Sequence, residues 1–389
     1  MPLELRDEEN QFLLDRREHG LTGGTLVVGA GVSGLSTALA LSKRGHEVTV
    51  LERGLSGSES SWAGGGILSP LLPWDYTVPV TKLALLSMDG YAGWVAEIET
   101  IANQCAEFWR CGMLALDVTA PDQAVAWCMT NGIAVVRGIP AGIPPLPSLL
   151  LEKGRDSVWL PEVAQVRNPR LVAALRAAVV RLGGVIREQC PATGVLTQGN
   201  RVTAVRTTTE TFPAHSVVLA TGAWSGLGLT GLAPTPNMRP IRGQMLLFKL
   251  EPGALDKILY RNGLYLIPRR DGHVLVGSTL EDVGFDKSTD DATRHRLHRE
   301  SAELLPMLGP VKPVRHWAGL RPGSPDNIPV IDRHPDFDNV FVNTGHYRYG
   351  VTMAPASAQL LVDLMEGQAP ALDPQPYSWE SAVARRWPG

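Results

Sequence analysis

The sequence is poor in cysteine, in charge of one sign and in long apolar runs, and each scarcity closes off a class of protein. Only four cysteines occur in 389 residues: Cys105, Cys111, Cys128 and Cys190. They are widely spaced and form no CxxC or Cys/His grouping, which excludes a disulfide framework and a zinc site. Free thiols suit a reducing compartment. Lys and Arg (36) nearly balance Asp and Glu (39), giving a formal charge of −3. That balance lacks the clustered basic excess that nucleic-acid binding requires, so a small anion would have to be held by a local positive pocket. No apolar run approaches the roughly 20 residues of a membrane-spanning helix. The first twenty residues mix acids and bases and lack an apolar segment, unlike a secretory or transit leader. The expected location is the cytoplasm.

What the chain does have is glycine (40 residues) and an ordinary share of hydrophobic side chains (44%). That composition supports a packed globular fold with many turns. The length is too great for one simple core and suggests two domains, or one large α/β unit with insertions.

From Thr25 the pattern turns sharply periodic. TLVVGAGVSGLSTALALSKRGHEVTVLERG reads as a buried strand (26–28), a glycine turn, a helix ended by Gly45, and a second strand (47–51). A second glycine loop, Gly64, Gly65 and Gly66, follows. Residues 83–110 carry helical spacing, and the Pro-rich stretch 138–149 reads as a crossing between domains. A helix is expected over 169–182, then strands over 185–188, 201–207 and 216–225. Residues 238–280 alternate like antiparallel strands, with a hairpin turn at Asp271-Gly272. A helix over 290–305, a strand at 339–345 and a helix over 355–365 complete the pattern.

Gly29-Ala30-Gly31-Val32-Ser33-Gly34 is a G-x-G-x-x-G between a strand and a helix, with Glu52 ending the second strand. Gly29 permits the sharp turn, Gly31 lets the backbone approach a pyrophosphate, and Gly34 allows close helix–strand packing. The helix N-terminus then faces the phosphates and Glu52 the ribose hydroxyls. The fold class is α/β: a discontinuous Rossmann-like nucleotide domain carrying an antiparallel-β plus helix substrate domain. The expected division gives an extension (1–24) and a tail (371–389). Nucleotide-domain parts fall at 25–108, 160–236 and 316–370, and substrate-domain parts at 109–159 and 237–315. The motif opens the folded chain and no second one of equal quality follows, which favours FAD over a nicotinamide cofactor.

WAGLRPGSPDNIPVIDRHP (317–335) and NTGHYRYGVTMAPASA (343–358) resemble the D-amino acid oxidase family of FAD-dependent oxidoreductases. Within it the likeness is nearest to the glycine oxidase subgroup of thiamine biosynthesis. IRGQMLLF and YLIPRRDGHVLVGST strengthen the resemblance, which runs from about residue 25 to 367. It implies non-covalent FAD. Gly29, Ala30, Gly31, Val32, Ser33, Gly34, Glu52 and Arg53 would hold its ADP half. Ser60, Ser61, Ala63, Gly64, Gly65 and Gly66 would line the pyrophosphate and ring side. Val195 would meet the adenine, with Thr221 and Gly222 closing over the nucleotide. Gly345, His346, Tyr347, Arg348, Tyr349, Gly350, Val351 and Thr352 would lie along the flavin.

The resemblance also implies that Arg321 binds the substrate carboxylate, with Arg348 and Tyr265 as further active-site residues. Each has another possible place. Arg321 could pair with Asp326 or Asp332, Arg348 could serve the backbone or flavin, and Tyr265 could be a core tyrosine between Leu264 and Leu266. The family often carries Asn after the second arginine, where this chain has Tyr349. The implied reaction is oxidation of a small amino acid, with oxygen as electron acceptor. The enzyme would need no metal and is a possible homo-oligomer. Two other readings stand beside it: a dehydrogenase of the same fold passing electrons to a quinone or partner, and a non-catalytic FAD- or NAD-binding module.

Overall fold

The computed structural model describes residues 23–139 and 156–387. The amino-terminal extension up to residue 22 and all but the first two residues of the Pro-rich stretch lie outside the described residues.

Thr25–Val28 is buried at every position, as a strand covered on both faces must be. It pairs in parallel with Val48–Leu51 on one side and Ser216–Leu219 on the other. Val185–Arg187 and Val340–Thr344 extend this parallel sheet, and Val330–Arg333 closes one edge antiparallel, making six strands. The first strand leads through the glycine turn into helix Val32–Lys43. That helix packs against Asn168–Arg181 and Gly350–Met365, which in turn pack against Val78–Ala102.

Two helices depart from their expected limits. The one anticipated over 83–110 runs over Val78–Ala102 instead. Asn103 adopts a left-handed conformation (φ 51°) and caps it, so the apolar residues beyond belong to a loop and to the short strand Trp109–Arg110. The last helix begins at Gly350, five residues before the expected start at Pro355. A proline inside a helix leaves the carbonyl four residues back without its donor. Here that carbonyl belongs to Val351, and the Tyr91 hydroxyl donates to it at 2.9 Å.

The second sheet has eight strands, antiparallel except where Ile258–Arg261 runs parallel to Met113–Leu116. The hairpin at Asp271-Gly272 joins Leu264–Pro268 to His273–Gly277, with Gly272 at φ +84°. Arg315–Gly323 pairs along Arg239–Lys249 and so belongs to this sheet; the division drawn at residue 315/316 falls within that strand. Period-2 alternation sorts its side chains. Leu264 and Leu266 join Leu246, Phe248, Val274 and Val276 under helix Asp291–Leu304, whereas Tyr265 and Ile267 face the other way. Asp290 caps that helix, accepting from Thr293 N–H at 2.7 Å. No helix among the described residues is long and apolar enough to cross a membrane.

Candidate active site

A continuous cleft of about 390 Å³ runs from the glycine fingerprint to the inward face of the eight-stranded sheet. It brings together Gly29, Gly31, Val32, Ser33, Glu52, Arg53, Ser60, Ser61, Gly64, Gly65 and Gly66. Thr221, Gly222, Tyr265, Arg321 and the run from His346 to Thr352 line the same cleft.

At the fingerprint, helix Val32–Lys43 receives no side-chain cap from Gly31. Ser61 supplies one from 29 residues away, its Oγ accepting from Val32 N–H at 2.9 Å. A Cβ on Gly31 would meet only that hydroxyl, at 3.2 Å, so the remaining approach is open to a ligand. Gly34 is closed by contrast: its Cβ would lie 1.9 Å from the Gly29 carbonyl. Glu52 is buried and accepts from Ala30 N–H at 2.8 Å and Gly54 N–H at 2.9 Å. It braces the loop while keeping carboxylate lone pairs for another donor. Arg53 donates to Glu59 at 2.8 Å, and its guanidinium lies 3.3 Å over the Trp224 ring.

The second glycine loop is pinned by a residue that short-range pattern did not single out. Arg269 is buried and donates to the carbonyls of Gly65 and Val166, both at 2.9 Å. Burial pulls its guanidinium down to about 10. Asn168, also unanticipated, lines the cleft with both amide atoms buried and without a hydrogen-bond partner among the described residues. A Cβ on Gly64 or Gly66 would reach that amide at 2.9 Å or 2.4 Å. Two glycine turns against a helix N-terminus, with an unsatisfied amide between, fit the phosphates and polar ring edge of a flavin dinucleotide.

The far end of the cleft is cationic and aromatic. Arg321 donates to Ser278 Oγ at 2.6 Å and to the Thr279 carbonyl at 3.1 Å. Among the described residues it pairs with no carboxylate. Asp332 is occupied by Trp379 N–H and Asp326 is exposed. Burial, joined by repulsion from Arg348, lowers the Arg321 pKa, with the Tyr265 phenol opposing. Two half-buried guanidinium groups that repel each other and have no carboxylate partner among the described residues make this end of the cleft suited to an anion. Gly243, on the neighbouring strand, makes the space: its Cβ would strike the Arg321 guanidinium at 2.3 Å. Gly319 lets the same strand approach Ala63, which a Cβ would meet at 2.4 Å, and Trp317 donates to the Ala63 carbonyl at 3.1 Å. Ala63 therefore supports the cleft from behind.

His346 is fully buried, its ring nitrogens near Ser357 Oγ (2.9 Å) and Ser33 Oγ (3.4 Å). Burial pushes its pKa down to about 4, so the ring is neutral at pH 7. Gly345 lies behind the cleft at φ +79°, against Met238 and Ser324. Ala30 and Gly34 likewise shape the turn without lining it. Val195 is buried off the cleft, its N–H taken by the Thr230 carbonyl at 2.9 Å; Pro191 and Ala192 line that end instead.

The fold and cleft define a flavin-dependent oxidoreductase, and comparison with known proteins agrees. Residues 25–364 match the DAO model, FAD dependent oxidoreductase, and the chain belongs to that family. It is 43% identical to the glycine oxidase of Pseudomonas aeruginosa, covering 91% of this chain and 97% of that one. It is 32% identical to the bifunctional protein ThiO/ThiG of a Nostoc species, covering 90% of this chain and 53% of that one. Among solved structures it resembles glycine oxidase from Geobacillus kaustophilus. There the TM-score is 0.84 at 27% identity, over 91% of this chain and 97% of that one.

Proposed function

We propose that the protein oxidises glycine, or a similarly small amine or D-amino acid, at its α-carbon. FAD in the cleft would supply the acceptor for the hydride leaving that carbon, with oxygen taking the electron pair as hydrogen peroxide. The imine product hydrolyses to an oxo acid and ammonia. The observation that carries this reading is the half-buried Arg321, with no carboxylate partner among the described residues, at the end of a cleft that begins with a dinucleotide fingerprint.

Arg321 takes the substrate carboxylate in a two-pronged grip, which fixes the α-carbon in the cleft. Tyr265 offers a hydroxyl to the substrate, and Arg348 adds positive charge on the same side. The fingerprint residues and Glu52 hold the ADP half, and the Arg269-braced loop holds the pyrophosphate and ring. The N-terminal turn of helix Gly350–Met365 opens on the cleft, where its N–H groups favour negative charge. A substrate amine must be neutral to release the hydride, because an ammonium has no lone pair with which to form the imine. The ThiO/ThiG likeness supports a role in making the thiazole of thiamine.

The test is peroxide. The reading expects stoichiometric hydrogen peroxide when the holoenzyme turns over glycine in air. Flavin reduction by glycine with no peroxide, but with reoxidation by a quinone, would make the protein a dehydrogenase instead.

A further inference from the structure

What limits the size of the group on the substrate's α-carbon follows from the cleft's cationic end. Tyr349 is 3% exposed and lines the cleft next to Arg348. Its ring meets Tyr76 edge-on, with centroids 4.9 Å apart and planes at 90°, and the two hydroxyls are hydrogen-bonded. Leu71, itself lining the cleft, reaches the Tyr349 hydroxyl through its backbone. The segment from Leu71 to Tyr76 is thereby fastened to the turn that carries Arg348.

Both sides of this contact adjoin helical segments. Tyr76 follows the short helical turn Pro73–Asp75. Tyr349 precedes helix Gly350–Met365, which is tied to the rest of the fold by Tyr91 at Val351. The Arg348 guanidinium interacts electrostatically with the phenols of Tyr349, Tyr76, Tyr265 and Tyr260. Of the cleft's lining residues, Tyr265, Tyr347 and Tyr349 bring aromatic rings to this cationic end. A tyrosine ring is bulky, and close-packed interiors do not collapse fully around a deleted ring.

Resting on the glycine-oxidising reading, we propose that Tyr349, braced by Tyr76, is the wall that restricts the α-carbon substituent to hydrogen or methyl. It is a specificity-determining pair, with Tyr349 meeting the substrate and Tyr76 positioning Tyr349. One methylene in an apolar pocket discriminates by roughly 10- to 200-fold, so loss of the ring is visible in substrate ratios.

The experiment compares wild type with Tyr349→Ala, Tyr349→Phe and Tyr76→Ala as holoenzymes. One readout is kcat/KM for glycine, D-alanine and D-valine. The other is binding of acetate, isovalerate and benzoate, followed by the shift in flavin absorbance. In Tyr349→Ala the D-valine to glycine ratio rises at least about 10-fold and the bulkier acids bind. Tyr349→Phe keeps the wild-type ratio because the ring remains, and Tyr76→Ala falls between. An unchanged ratio and an unchanged acid cut-off in both alanine variants would overturn the proposal. If glycine does not reduce the wild-type flavin, the parent reading fails while the acid series still decides the wall. If Tyr349→Ala does not fold, Tyr76→Ala carries the same decision.

Discussion

Arg321 and Ser278 form a 2.6 Å hydrogen bond that uses one edge of the guanidinium and leaves the rest for the cleft. Together with the Thr279 carbonyl, Ser278 takes two of the five N–H donors. The side chain is oriented before any substrate arrives, which is what a carboxylate clamp needs.

Arg321→Ala and Arg321→Lys are therefore both expected to lose kcat/KM for glycine by about 100-fold or more, since two charge-assisted hydrogen bonds disappear. Lysine restores the charge but not the planar fork. Oxygen uptake against glycine concentration measures this, and an unchanged flavin content shows that the cofactor is retained. A lysine variant with wild-type kcat/KM would contradict the fork.

Gly243→Ala should imitate a mild form of that defect. Its new Cβ would press on the guanidinium at 2.3 Å and displace it from Ser278. The expected result is a KM for glycine raised by about 10-fold, in keeping with a misplaced binding group, with folding intact by circular dichroism. A wild-type KM would mean that the arginine relocates without loss.

Arg269→Met should act on the cofactor. It leaves the carbonyls of Gly65 and Val166 without their buried donors, and such orphaned groups cost about 1–3 kcal/mol each. Fluorescence titration of the apoprotein with FAD should show about 10-fold weaker binding. Equal affinity would show that the second glycine loop holds its shape without the arginine.

The fingerprint was legible because its strand, turn, helix and terminal acid lie within one short window, so local periodicity and turn chemistry specify all of it. Arg321 was legible only through the residues around it. Gly243 and Arg269 stood in recognisable stretches, but their tasks depend on partners 78 and 204 residues away, Arg321 and Gly65. No periodicity encodes such meetings. The early start of the last helix was hidden for the same reason: Pro355 reads as a boundary until Tyr91 satisfies Val351. The end of helix Val78–Ala102 is set by Asn103 in the left-handed region, whereas the apolar residues beyond it continue the helical spacing in the sequence.

His346 gives a pH prediction. Its folded-state pKa, about 4, lies below its ordinary 6.5 because of burial. On acidification the unfolded chain takes up the proton first. The stability from keeping this ring neutral is full above pH 6.5 and is lost as pH falls toward 4, about 3 kcal/mol in all. Thermal unfolding across that window should steepen in the wild type relative to His346→Gln. Parallel curves would show that another group governs the acid limb.

The most direct test of the whole account is an anaerobic titration of the flavin spectrum with glycine, run side by side on wild type and Arg321→Ala. The account predicts that glycine bleaches the wild-type flavin bands, while the variant, with its cofactor bound, bleaches only at far higher glycine concentrations or not at all. A wild-type spectrum indifferent to glycine, or equal bleaching in both proteins, would contradict it.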